Sequence, residues 1–238
     1  MFITSALLVL AAANPEVTRV LASIATSQGE ARAHAVQGYA AGCRGKNRFA
    51  YRNNKDALEA LRPTFKDEDA GVRLAALGLT ACYPPDTFGP ELVTLTEDKD
   101  PAVRERAYEE AAHAESTEVL LGLGTQVETC TSKLDTLDAE GARWCVFALY
   151  ALAENGRAIK DQALRARIAE LSAPMLTANN AKLREHALRN VDLFGTAAQV
   201  EALQALAAGD VRAGGERATD EEKKKAKALM QKVKKRKK

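Results

Sequence analysis

Five segments of the chain repeat one pattern of apolar, small and charged positions around an arginine. In each, the residue before the arginine is apolar, the third residue after it is Ala or Val, and the fourth is a larger apolar or aromatic residue. Apolar positions at i, i+4 and i+5 form one stripe along a helix, so each segment is predicted to be an amphipathic helix. The five arginines are Arg32, Arg73, Arg104, Arg143 and Arg184.

Helix-start signals precede these arginines at a nearly constant distance. Asp69, Asp100 and Asn180 lie four residues before their arginines, and Ser27 and Asp138 lie five residues before theirs. Side chains of these types accept hydrogen bonds from the first backbone N–H groups of a helix. The five residues are therefore predicted to be N-caps.

A second apolar pattern lies between the arginine segments, as in Val17, Leu21 and Ile24. Turn-type pairs such as Asn155-Gly156 separate the two kinds of segment. Each repeat is thus predicted to be a helical hairpin, which cannot bury its apolar face alone and must stack on its neighbours. The sequence predicts an all-α fold, an α-solenoid of about five hairpins over residues 14–215.

Two repeats carry a more specific signature. Asp67 to Leu77 is D-x-D-A-G-V-R-L-A-A-L, and Asp98 to Ala107 is D-x-D-P-A-V-R-E-R-A. Over residues 15–208 the chain resembles the HEAT-repeat family of armadillo-like helical proteins, particularly the short bacterial repeats of phycobilisome-lyase-like proteins. The resemblance implies that Arg73, Arg104 and Arg184 support packing between neighbouring repeats by meeting an acidic turn. It also implies a protein-binding scaffold, with bilin-lyase activity confined to a subset of the family.

Composition limits the class of protein. The 238 residues are 46% hydrophobic and 28% charged, but only 5% aromatic. These fractions exclude a protein with many membrane spans and a wholly disordered chain, and the low aromatic content favours helices over strands.

Charge is divided unequally along the chain. Ten of the 34 bases lie in residues 223–238, which contain no acid, so the rest of the chain has 24 bases against 32 acids. We predict that residues 216–238 form a basic C-terminal helix or tail that binds an anionic surface, either lipid or nucleic acid. The alternative is a terminal helix whose Leu229, Met230 and Val233 cover the last apolar face. The ten bases are Lys223, Lys224, Lys225, Lys227, Lys232, Lys234, Lys235, Arg236, Lys237 and Lys238.

The N-terminal residues 1–13, MFITSALLVLAAA, are apolar and end in three alanines that match the small-x-small rule for signal cleavage. Asn14-Pro15-Glu16 then has the features of a helix start. We predict that residues 1–13 are a signal peptide and that the protein is exported to the periplasm or beyond. The alternative is a cytoplasmic protein in which this stretch belongs to a buried first helix.

Four cysteines, Cys43, Cys82, Cys130 and Cys145, have no C-x-x-C spacing, which disfavours a zinc site or a redox pair. Two disulfides are predicted for an exported chain. Pairing of Cys43 with Cys82 is favoured because both lie near the ends of equivalent helices, and pairing of Cys130 with Cys145 because they flank one short loop. The other connectivities stay open, as does a reduced state in the cytosol.

No pattern of catalytic residues emerges. The histidines His34, His113 and His186 are far apart in sequence, and the chain has no nucleophile elbow, phosphate loop or dinucleotide fingerprint. Trp144, with Phe147 and Tyr150, has helical spacing and is predicted to belong to the core, the alternative being a ligand cage. We therefore predict a non-catalytic scaffold without cofactor or metal that binds a partner protein along its groove, in the cell envelope. The alternatives are the anionic-surface binder and a bilin-lyase-like enzyme.

Overall fold

The computed structural model describes residues 14–52, 54–212 and 214–236, and within these ranges every regular element is a helix. The predicted all-α class is confirmed. The predicted signal peptide, together with Lys237 and Lys238, lies outside the described residues. The chain divides into two compact units, one ending at Glu110 and the other beginning at Ala111. They are called unit 1 and unit 2 below.

Unit 1 consists of short α-helices joined by 3₁₀ turns. Its consecutive helices pack pairwise, since α1 packs on α2, and α4 runs into a 3₁₀ turn that packs on α5. The two pairs then stack, with α2 against α5 and α1 against α4. The helices are α1 (Pro15–Thr26), α2 (Gly29–Gly42), α3 (Arg48–Tyr51), α4 (Lys55–Leu61), α5 (Ala70–Leu77), α6 (Gly89–Leu95) and α7 (Pro101–Ala112), the last of which crosses into unit 2.

Unit 2 contains three consecutive helix pairs, α8 with α9, α10 with α11, and α12 with α13. The second helices of these pairs stack in order, α9 against α11 and α11 against α13. The helices are α8 (Thr117–Ser132), α9 (Ala139–Ala158), α10 (Gln162–Ser172), α11 (Ala181–Phe194), α12 (Val200–Ala208) and α13 (Asp220–Lys234).

Four of the five predicted N-caps are confirmed. Asp69, Asp100, Asp138 and Asn180 each accept backbone N–H groups at the start of their helices. The prediction for Ser27 is wrong, because its hydroxyl donates back to the carbonyl of Ser23 at the end of α1. The next helix starts at Gly29, after Gln28, which makes no side-chain cap.

The predicted turn at Asn155-Gly156 is also wrong, because α9 continues through both residues. The Asn155 side chain is buried and its Nδ2 donates to the carbonyl of Ala111 at 2.9 Å. A Cβ on Gly156 would lie 2.1 Å from Cδ1 of Ile168. Asn155 therefore forms a buried hydrogen bond and Gly156 allows a close helix contact, and neither residue forms a turn.

Candidate partner-binding site

Two buried arginines are held in the same way, one in each unit. Nε and Nη2 of Arg73 donate to the carboxylate of Asp98 at 2.6 and 2.7 Å, and Nη1 donates to the carbonyl of Asp67 at 2.8 Å. Nε and Nη2 of Arg184 donate to Glu222 at 2.8 and 3.2 Å. Its Nη1 donates to the carbonyl of Ala178, which lies six residues upstream, as Asp67 does from Arg73.

Arg32 extends the pattern in unit 1, because its Nη1 donates to Oδ2 of Asp67 at 2.6 Å. Arg32 and Arg73 thus each reach the acidic turn that precedes the next arginine helix. For Arg73 this is the contact that the family resemblance implies. Of the two remaining repeat arginines, Arg104 is half-buried on α7 and Arg143 is exposed on α9.

The ion pairs with Arg73 and Arg184 lower the pKa values of the Asp98 and Glu222 carboxylates. Burial raises the pKa of Asp98, but hydrogen bonds from Arg73 and from the backbone of Asp100 lower it more, so the net shift is downward. The pKa of Glu222 is lowered in the same sense, with burial opposed by hydrogen bonds from Arg184 and Thr219. Both carboxylates are therefore ionised at neutral pH.

Arg143 belongs to a surface cluster. Its guanidinium lies 5.1 Å from the ring centroid of Trp144 and 5.6 Å from that of Phe147. Trp144 and Phe147 stack on each other and are both partly exposed. Trp144, Phe147 and Tyr150 are thus half-buried on α9, at the edge of the core that was predicted to contain them.

The cysteines lie in two pairs, one within each unit. The sulfur atoms are at bonding distance in Cys43–Cys82 and in Cys130–Cys145. This is the pairing that the sequence favoured. The pair in unit 1 links the region after α2 to the 3₁₀ turn after α5, and the pair in unit 2 links α8 to α9.

A groove of about 540 Å³ runs between α11 and α13 in unit 2. Its floor is apolar, since it contains Leu188, Ala228 and Leu229. Charged side chains of both signs form its rim, where Lys232 pairs with Asp192. The other charged residues of the lining are Glu185, Arg189, Glu222 and Lys225.

His186 also lines the groove. Of the three histidines named in the sequence analysis, it has the most unusual environment. Burial lowers the pKa of its imidazole, partly opposed by the charge of Glu185. Its ring meets that of Tyr150 edge to face at 6.3 Å, and its Nδ1 is buried without a hydrogen-bond partner among the described residues. His34 is exposed on α2 and His113 is exposed in the turn after α7, and the described residues contain no cluster of three metal-ligating side chains.

The predicted basic tail is a packed helix. Ala226, Leu229 and Val233 of α13 are buried, and the helix starts with a capping box between Thr219 and Glu222. Several tail bases bind within the unit, because Lys225 pairs with Glu221 and Arg236 donates to the carbonyls of Asp192 and Gly195. The exposed bases Lys224, Lys227, Lys234 and Lys235 have no intramolecular contact of this kind among the described residues.

The groove was not predicted from the sequence because its two walls are far apart in the chain. Asp192 on one wall and Lys232 on the other are 40 residues apart. The stripe Ala226, Leu229 and Val233 indicates that α13 is a packed helix, but it does not identify α11 as the other wall of the groove.

No protein-family model and no curated protein matches the chain. Its fold is similar to the crystal structure of an engineered protein from the Northeast Structural Genomics Consortium, with a TM-score of 0.54 and 17% sequence identity. The match covers 92% of this chain and 97% of that one. At this identity the similarity concerns the helical fold alone. None of the described helices has the length and apolar character needed to cross a membrane.

Proposed function

We propose that the chain is a non-catalytic α-solenoid of HEAT-like hairpins that binds a partner protein, and that the α11–α13 groove is a contact site for that partner. The groove carries the proposal, because an apolar floor inside a rim of both charge signs is typical of a protein-binding surface. The repeated arginine clamps support the HEAT-like assignment. They link successive segments within each unit.

We further propose that the protein acts in the cell envelope after export. Two cysteine pairs are compatible with an oxidising compartment. The test is the N-terminal residue of the mature protein. Asn14 or a close neighbour would support export, whereas an intact Met1 in a soluble cytosolic fraction would contradict it.

The binding proposal is tested by filling the groove. Ala228 is exposed on α13 and lines the groove, whereas Gln231 is exposed on the same helix and does not line it. We expect Ala228→Arg to abolish retention of the partner from envelope extracts, and Gln231→Arg, which adds the same charge, to leave it unchanged. Equal retention by both variants would exclude the groove as the contact site.

The exposed lysines of α13 favour a second candidate, in which this helix binds an anionic surface. Association through these charges should weaken steeply as salt increases, whereas association through the groove should persist. Measuring retention at low and high salt separates the two candidates.

A further inference from the structure

A short loop in unit 1 presents an exposed aromatic ring among cations. We call residues 44–49 the basic loop. Arg44, Lys46 and Arg48 are all exposed, and Phe49 is 82% exposed. Exposure of a whole phenylalanine ring to water is unfavourable, so this residue is not explained by folding.

The two ends of the basic loop are fixed to the core of unit 1. At its start, Cys43 is buried and paired with Cys82. At its end, Tyr51 is 2% exposed, packs edge to face on Tyr39 at 5.1 Å, and accepts a hydrogen bond from the Tyr39 hydroxyl through its carbonyl. Phe49 lies two residues from this buried tyrosine on the same helix, α3, and points to solvent.

The charge of the basic loop is uncompensated. Among the described residues, Arg44, Lys46 and Arg48 form no ion pair, and the Arg48 guanidinium lies 5.1 Å from the Phe49 ring centroid. Glu16 contacts the loop at a neutral residue, since it accepts a hydrogen bond from the Asn47 amide at 3.0 Å. Residues 31–55 contain no acid, in a chain whose residues before 223 carry an excess of acids.

We propose that the basic loop binds the surface of an anionic lipid bilayer. Phe49 enters the boundary between headgroups and acyl chains, and Arg44, Lys46 and Arg48 pair with lipid phosphates. This combination of an apolar side chain with cations is what interfacial binding requires. A single-stranded nucleic acid would instead need several aromatic rings along a positively charged groove, and the basic loop has one ring at its apex.

The first test measures co-sedimentation of the full chain with vesicles in which about a third of the lipid is phosphatidylglycerol. Each base near an anionic surface contributes about fivefold to partitioning, so the triple variant R44Q/K46Q/R48Q should bind about 100-fold more weakly. The matched control K99Q/K133Q/K160Q removes as many exposed charges from outside the basic loop and α13, and it should bind nearly as well as the wild type. All three proteins carry the same residues 1–13, so that segment does not affect the comparison.

The second test measures insertion of the ring. Phe49→Ala should weaken binding to the same vesicles by about fivefold without changing the thermal unfolding curve, because the ring buries little surface in the fold. Phe49→Trp should keep the binding, and its emission, after subtraction of the Trp144 signal, should shift to shorter wavelength on anionic vesicles.

Four results would overturn the proposal. One is equal binding by the wild type and the triple loop variant, and another is an equal loss of binding in the control K99Q/K133Q/K160Q. The third is that the protein binds a short RNA through the basic loop but does not bind anionic vesicles. The fourth is binding to vesicles of phosphatidylcholine alone that equals binding to the anionic vesicles, which would show that the cations play no role.

Discussion

Arg184 illustrates what a guanidinium needs in order to remain charged inside a protein. Its side chain is fully buried, yet its donors reach the carboxylate of Glu222 and the carbonyls of Ala178, Glu216 and Arg217. Such saturation offsets the cost of removing the charge from water. The sequence identifies this arginine but does not show that it is buried.

Replacement of Arg184 by Met should lower the free energy of unfolding by about 3–5 kcal/mol, because it leaves the partly buried Glu222 carboxylate without its partner. Urea unfolding followed by circular dichroism measures the change. Lys182→Met is the control, since Lys182 forms an exposed pair with Glu185, and it should change stability by less than about 0.5 kcal/mol. A loss below about 1 kcal/mol for Arg184→Met would contradict the buried clamp.

Two glycines of α2 should respond to alanine in opposite directions. A Cβ on Gly42 would lie 2.6 Å from the Tyr51 ring, whereas a Cβ on Gly38 would meet nothing within 4 Å. We expect Gly42→Ala to destabilise the protein by about 1–3 kcal/mol through overpacking. Gly38→Ala should stabilise it by about 0.5–1 kcal/mol because alanine favours the helix. Urea unfolding of both variants tests the pair, and the same sign for both would contradict it.

At the scale of elements, α13 is the structure that the basic C-terminal segment adopts. The charge pattern is compatible both with a free tail and with a terminal helix. In the structure this segment is a terminal helix, which packs on α12 and provides the Glu222 carboxylate that binds Arg184. The two interpretations are not exclusive, since α13 buries one face and exposes lysines on the other.

Deletion of residues 220–238 should therefore lower the unfolding midpoint and reduce the helicity by more than the deleted helix contributes. The deletion exposes the apolar surface that Ala226, Leu229 and Val233 cover, and it leaves Arg184 without its carboxylate. The control K224Q/K227Q/K234Q should keep the wild-type midpoint, because these lysines are exposed. Thermal circular dichroism gives both quantities, and an unchanged midpoint after deletion would show that α13 is dispensable.

At the scale of the whole molecule, each unit has its own disulfide. The paired cysteines are 39 residues apart in unit 1 and 15 residues apart in unit 2. Closing a loop reduces the entropy of the unfolded chain, and the reduction increases with loop length. Both units should thus lose stability on reduction.

Intact mass under non-reducing conditions should be lower by four hydrogens than the mass of the reduced chain. The double variant Cys43→Ala/Cys82→Ala should lose about 4 kcal/mol of stability, and Cys130→Ala/Cys145→Ala about 3 kcal/mol, from the two loop lengths. Urea unfolding measures the losses. Equal masses in both states would exclude the disulfides.

The sequence alone determined the local features of this protein. Helical class and four of the N-caps followed from patterns within single segments, because helix formation and capping depend on residues a few positions apart. The favoured pairing of Cys43 with Cys82 followed instead from the equivalence of two helices in neighbouring repeats. The same patterns misplaced Ser27 and the turn at Asn155-Gly156. In the second case, the helix continues because of contacts with distant residues such as Ile168 and Ala111.

Only the tertiary structure decided which side of each helix is covered. Arg143 and Arg184 share one sequence pattern, yet Arg143 is exposed beside two half-buried aromatic rings and Arg184 is buried. The α11–α13 groove and the exposure of Phe49 also depend on neighbours far away in the chain. Burial is a property of the packed assembly of helices, whereas the amphipathic pattern of one helix reports only that it has a face to bury.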